Sequence, residues 1–200
     1  MKKSLKRLII DSSTKYLYLA LYDNNEKRTS IYKEGQNNHS ETLMLKLQTM
    51  MKEQLWNVNE LDEIYVGIGP GSYTGVRIGV VVAKILGYSL KKPVFTVSSL
   101  ALIASAYQGD YIVPWIDARR GYAFLGVYRH LDDKFSVIET DKYIPLEDYE
   151  SKYANGLVEL KEPNFDVILK NKFYQRVEDI HALAPLYLRK TEAETSLSKG

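Results

Sequence analysis

Two hundred residues with 45% hydrophobic content can bury a core, as one large domain or two small ones. Zero cysteines exclude a disulfide framework and cysteine-based zinc sites, and 27 basic against 25 acidic side chains, a net charge of +2, leave no bulk footprint for nucleic acid. The basic start MKKSLKRLIID carries an apolar run only from Leu8 to Ile10 before Asp11, far short of a secretory core or of the about 20 residues of a membrane span, so a soluble, cytoplasmic protein with no membrane contact is expected.

The first predicted element is a β-hairpin, LIIDSSTKYLYLALY from Leu8: an apolar run ending in Asp11, a short polar turn, then an alternating strand rich in Tyr and Leu. Asn38 and Glu41 stand at capping-box spacing ahead of Leu43, Met44, Leu47, Met50, Met51 and Leu55, which predicts an amphipathic helix over about Ser40 to Gln54. EIYVGI, Glu63 to Ile68, reads as a short buried strand. It is followed by the glycine loop GIGPGSYTG (Gly67 to Gly75), a helix from about Thr74 to Leu90, a strand over Lys92 to Val97 and a short helix from Ser98 to Ala106. A second hairpin, PWIDARRGYAFLGVY from Pro114, aligns with the first without a gap: Ile10/Ile116, Asp11/Asp117, Tyr16/Tyr122, Leu19/Leu125 and Tyr22/Tyr128 coincide. The chain therefore reads as a doubled unit. Beyond this hairpin come a loop-and-helix region (IETDKYIPLEDY), short strands near Phe165 to Leu169 and a solvated tail, Thr191 to Gly200. Strands alternating with helices predict an α/β protein with a mixed sheet.

The glycine loop poses the functional question, since glycine serves both phosphate binding and close helix packing. A phosphate-binding P-loop needs a lysine followed by Ser or Thr; here Tyr73 follows Ser72 and no lysine comes before Lys84. The dinucleotide fingerprint fails at its third small position, Ser72, and lacks an acid about twenty residues on. From Ile64 through Gly109 there is no Asp or Glu, so this segment can face an anion at the helix N-terminus but cannot supply a carboxylate to a metal. Gly75, Gly79, Ala83 and Gly87, four apart, form a ridge of small residues on the following helix. Glycine costs about 1 kcal/mol in a helix relative to alanine, which calls for close approach of another element. That element is either the chain's own sheet or first helix, or a helix of another subunit.

His39, His130 and His181 are far apart in sequence and none has the i, i+4 spacing of a helical metal pair. No metal site, serine elbow or catalytic carboxylate pair can be argued, so no catalytic residue is assigned. Arg119 and Arg120 in the second hairpin turn, and Arg77 in the first turn of the glycine-rich helix, are the basic residues to weigh as contacts to nucleic-acid phosphates.

Six stretches in this order and spacing, IIDSST, HSE at His39 to Glu41, GPGSYTGVRIG from Gly69 to Gly79, VSSL at Val97, DARRG at Asp117 and PLYLR at Pro185, resemble the bacterial TsaB (YeaZ) family over nearly the whole chain. The resemblance implies two related lobes of the actin-like ATPase and sugar kinase (ribonuclease H-like) type, each opening with a β-hairpin on a mixed sheet flanked by helices. The expected division is residues 1–105 and a smaller second lobe, 106–200. It further implies a non-catalytic partner of TsaD, the subunit that transfers a threonylcarbamoyl group to adenosine 37 of tRNAs reading codons that begin with A. The ATPase TsaE joins the pair, tRNA is reached through the complex, and self-association of the isolated chain stays open. On this footing Leu43, Leu47, Met50, Gly75, Gly79, Ala83 and Gly87 are assigned to the partner interface. Asp11, Ser12, Ser13, Gly69, Gly71 and Ser72 are assigned to a nucleotide pocket shared with the partner, ATP or ADP being the ligand and no cofactor being tightly bound. Family kinases place a glycine after the first hairpin aspartate, where this chain has Ser12. The competing reading is a small-molecule kinase of the same superfamily with Asp11 and Asp117 near magnesium.

Overall fold

The computed structural model describes residues 4–35 and 39–188. Asn38, the expected capping residue, and the expected tail Thr191 to Gly200 lie outside the described residues.

The chain opens as an antiparallel meander of β1 (Lys6–Asp11), β2 (Tyr16–Asp23) and β3 (Glu26–Glu34). Helix α1 (His39–Glu53) leads to β4 (Glu63–Gly67), parallel to β1, and α2 (Tyr73–Leu90) to β5 (Val94–Val97), parallel to β4. Helix α3 (Ser99–Ala104) follows, its N-terminus capped by the Ser98 hydroxyl, which accepts from the Ala101 amide at 3.2 Å. The second half repeats the plan: meander β6 (Gly109–Arg119), β7 (Tyr122–Leu131) and β8 (Lys134–Pro145), helix α4 (Leu146–Tyr153), then β9 (Leu157–Val158) parallel to β6. Helix α5 (Phe165–Lys170) and β10 (Gln175–Arg176) follow in the chain.

Sheet order makes the repeat explicit. The six-stranded sheet runs β10-β5-β4-β1-β2-β3 and the four-stranded sheet β8-β7-β6-β9, so in each lobe the first strand lies between its hairpin partner and the parallel strand that follows the helix. The two hairpin turns agree in chemistry as well: the Ser13 amide donates to Asp11 Oδ1 at 2.7 Å, and the Arg119 amide donates to Asp117 Oδ1 at 2.7 Å. They differ in register. Ile10 pairs with Leu19, whereas Ile116 pairs with Phe124, because a bulge between Asp117 and Arg119 slips the second hairpin by one residue.

Period-two alternation divides the first sheet between two cores. Leu8, Ile10, Leu17, Leu19 and Leu21 lie under α1 and α2, while Ile9, Tyr18, Ala20 and Tyr22 point into a core shared with α3, α5 and the second sheet. A smaller core of Val113, Ala123, Leu125 and Val127 is closed by Tyr153 of α4.

Two expectations are corrected. The segment Phe165 to Leu169 is a helix, not strands: six residues are too few for apolar period to decide, and Phe165, Val167 and Ile168 are buried together on one side. The second lobe also does not keep all of 106–200. From Gln175 the chain returns to the first sheet, where β10 pairs antiparallel with β5 and the Val177 amide bonds the Val94 carbonyl at 2.9 Å. Further on, Lys84 Nζ donates to the His181 carbonyl at 2.6 Å and the Leu186 amide to the Ile68 carbonyl at 2.7 Å. This strap runs back along α2.

Candidate functional site

The glycine loop closes on the first hairpin turn. A Cβ at Gly67 would fall well inside 3.0 Å of the Asp11 carboxylate, one at Gly71 well inside 3.0 Å of the Ser13 carbonyl oxygen, and one at Gly75 likewise of the Ser12 carbonyl oxygen. The absence of side chains is what lets β4, the loop and the start of α2 lie against Asp11–Ser13. Three of the loop's amides are bonded within the chain. Ser72 N donates to the Ser13 carbonyl at 2.7 Å, Gly69 N to Ser99 Oγ at 3.0 Å, and Gly75 N to Ser72 Oγ, the cap of α2, at 3.3 Å. In return Ser12 Oγ donates to the Gly75 carbonyl at 2.7 Å.

The six residues expected to hold a nucleotide, Asp11, Ser12, Ser13, Gly69, Gly71 and Ser72, are thus brought together, chiefly on one another. Beside them lies a cavity of about 10 Å³ lined by Asp11, Ser13, Tyr18, Tyr32, Ser99 and Lys161. That is room for about one water, against the several hundred Å³ of an ordinary ligand pocket. Burial pushes the Asp11 carboxyl above its usual range, partly opposed by the hydrogen bond from the Ser13 amide. The Ser13 hydroxyl is buried without a hydrogen-bond partner. Asp117, its counterpart in the repeat, is exposed. Among the described residues no group of three or more His, Cys, Asp or Glu side chains converges as a metal-binding set, and no helix is long and apolar enough to cross a membrane.

The expected partner-interface set is corrected by burial. Leu43, Leu47 and Met50 are inside the core between α1 and the first sheet. The small-residue ridge faces the chain's own sheet: Gly79 lies against Ser12 and Ile10, Gly87 against Val94, and Ala83 is fully buried. Choosing apolar residues at helical period selects the buried stripe by construction. The opposite faces carry the surface. On α1 Met44 and Leu45 are 48% and 64% exposed, and on α2 Val81, Ile85 and Tyr88, at i, i+4 and i+7, are 52%, 58% and 62% exposed. Both helices cover the same side of the sheet and touch one another. A signal for this face was present in the sequence: Val80, Val81 and Val82 in succession cannot all point inward, and a helix apolar on several sides has more than one neighbour.

At the start of α2 the Arg77 guanidinium stacks 3.9 Å over the Tyr73 ring, and Arg77 Nε donates to the Tyr187 hydroxyl at 2.6 Å. Arg77 therefore ties the strap to the helix and lies on the same helix as the apolar stripe. Arg119 and Arg120 are exposed in their turn, both at positive φ.

The family model described as TsaD: tRNA N6-adenosine threonylcarbamoyltransferase matches residues 31–181. The chain is 28% identical to the tRNA threonylcarbamoyladenosine biosynthesis protein TsaB of Bacillus subtilis, over 94% of this chain and 95% of that protein. It is 32% identical to the TsaB of Haemophilus influenzae over 58% of this chain and 51% of that one. Among solved structures, YeaZ from Pseudomonas aeruginosa superposes with a TM-score of 0.78 at 22% identity, covering 92% of this chain and 100% of that one, a likeness of fold.

Proposed function

The chain belongs to the tRNA N6-adenosine threonylcarbamoyltransferase family and, within it, to the TsaB (YeaZ) proteins, and on that premise we propose that it is the non-catalytic partner subunit that binds and supports TsaD in forming threonylcarbamoyladenosine at position 37 of tRNA. The observation that carries the reading is the outward apolar face of α1 and α2, Met44, Leu45, Val81, Ile85 and Tyr88. Large apolar side chains exposed on two neighbouring helices suit a protein contact, and the partner meets this face, the buried ridge serving only to seat α2 on its sheet. Support for a non-catalytic role comes from the glycine loop, where the Gly69, Ser72 and Gly75 amides are bonded within the chain beside a cavity of about 10 Å³. A nucleotide, ATP or ADP, would accordingly be held with groups of the partner. TsaE joins the TsaD pair, tRNA is reached through the assembled complex, the isolated chain self-associates through the same helices when TsaD is absent, and the complex is cytoplasmic.

Burying a side chain such as Ile contributes about 1.5–3 kcal/mol, so placing a charge at Ile85 should weaken association at least about tenfold. Co-expression with TsaD from the same source should yield a stable pair that Ile85→Asp separates. Threonylcarbamoylation of tRNA should vanish when either subunit is omitted. Undiminished pairing of the Ile85→Asp chain would move the interface off this face.

A further inference from the structure

A cavity of about 230 Å³ opens between α5 and the β7–β8 turn and is lined by Gln108, His130, Asp133, Asn164, Asp166 and Lys170. We propose that it is a binding site for a small organic cation bearing N–H donors, held by His130 Nε2 and the carboxylates of Asp133 and Asp166.

His130 is only 5% exposed, and its Nδ1 lies 2.6 Å from the Tyr107 carbonyl oxygen. A carbonyl can only accept, so Nδ1 carries the hydrogen, and in the uncharged form of the ring the lone pair is on Nε2. No hydrogen bond to Nε2 is found among the described residues, and the His130 ring lines the cavity. The other walls are held equally firmly. Asn171 donates from Nδ2 to the Asp133 carbonyl at 3.1 Å and to the Val167 carbonyl at 2.9 Å, and its Oδ1 accepts from Phe135 N at 2.9 Å, fastening the β7–β8 turn to α5. Asp132 and Asp133 occupy that two-residue turn at φ 46° and 65°, a conformation in which glycine is the ordinary choice for the second position. The Tyr22 hydroxyl bonds Asp166, and Lys170 pairs with Asp133.

Charge selects the ligand. Two carboxylates, Asp133 and Asp166, face one ammonium, Lys170, so the carboxylates outnumber the ammonium and a cation is favoured over an anion. The acceptors, an imidazole nitrogen and two carboxylates, want N–H donors rather than a bare charge. Guanidinium and small primary ammonium compounds satisfy both conditions, and a volume below that of ordinary drug-sized pockets keeps the ligand small.

The test is a titration of the full chain with methylguanidinium, followed by the NMR resonances of the His130 ring. Tetramethylammonium, which has the charge without N–H groups, and acetate serve as comparisons. Methylguanidinium should shift the ring saturably, tetramethylammonium should bind at least tenfold more weakly, and acetate should not bind. Asp166→Asn should weaken methylguanidinium at least tenfold by the same readout, and His130→Phe likewise when its binding is followed by isothermal titration calorimetry; because Asp166 is exposed and Asn can still accept from Tyr22, the Asp166 variant keeps the fold, which circular dichroism verifies. A non-saturable shift, equal response to tetramethylammonium, or binding retained in folded Asp166→Asn would overturn the assignment.

Discussion

Gly75→Ala tests whether the small-residue ridge of α2 seats the helix on its own sheet. The new Cβ would fall well inside 3.0 Å of the Ser12 carbonyl oxygen, a backbone atom in a hairpin whose Ser13 carbonyl is also bonded to Ser72 N. Either α2 or the hairpin turn must move, and overpacking of this kind costs about 1–3 kcal/mol. Alanine recovers about 1 kcal/mol of helix propensity over glycine, so the net loss should reach about 2 kcal/mol. For a chain of this size each kcal/mol is worth about 2–4 °C in Tm. Gly79→Ala provides the internal comparison. Its Cβ would meet a hydroxyl, Ser12 Oγ at 2.8 Å, which can rotate away at the cost of its bond to the Gly75 carbonyl. A hydrogen bond of about 1 kcal/mol then roughly cancels the propensity gain. Gly79→Leu, with three more carbons and no space beyond, should destabilise severely rather than merely separate subunits. Melting curves by circular dichroism read all three, with Ile85→Ala on the outer face expected within about 0.5 kcal/mol of the parent. The packing argument fails if Gly75→Ala melts at or above the parent, or if Ile85→Ala proves the more damaging change.

Asp141 is inserted between Ser98, which donates from Oγ at 2.5 Å, and the Tyr128 hydroxyl, and burial nevertheless holds its carboxyl above the ordinary 3.8. A raised folded-state value means that this group's stabilising contribution is complete below the unfolded value and is lost as pH rises through the folded one; Asp141→Asn should therefore gain stability relative to the parent at neutral pH, with the gap closing toward pH 4, as read by denaturant midpoints across that range. If Arg119 and Arg120 bind tRNA phosphates in the assembled complex, the double change to Ala should weaken binding and flatten its salt dependence by about one unit of slope for each phosphate no longer neutralised; an unchanged slope leaves them as solvated turn residues. The purified chain alone should neither hydrolyse ATP nor modify tRNA, and turnover by the chain alone that is lost on Asp11→Ala would favour the kinase reading.

Much of the fold was legible because its signals are local. Alternation in LIIDSSTKYLYLALY and PWIDARRGYAFLGVY marks two hairpins, and the shared aspartate before each turn has the same consequence in both, an amide two residues on bonded to its carboxylate. What was not legible depends on distant partners. The one-residue slip at Asp117 and Arg119 leaves hydrophobic spacing almost untouched. The return of Gln175–Arg176 to β5 rests on two residues, too short a stretch for any periodic signal. Helix α5 is six residues long, and its apolar pattern fits a buried strand as well as a helical turn.

The glycine loop was found, and its meaning was the harder matter. Phosphate binding and backbone packing make the same demand on the sequence, a position without a Cβ, so glycine spacing cannot separate them. What separates them is where the neighbouring amides and hydroxyls go. Here Ser12 Oγ reaches the Gly75 carbonyl across 63 positions of chain, and Ser72 N answers from the other side to Ser13. Those bonds follow from β1 and β4 lying side by side and parallel, a pairing that brings the end of one strand to the start of the other's loop. Once the sheet order is known, the Ser72 amide is seen to be committed to the first hairpin's turn rather than offered to a phosphate, and the exposed apolar surface is the outer side of the helices that the ridge holds down.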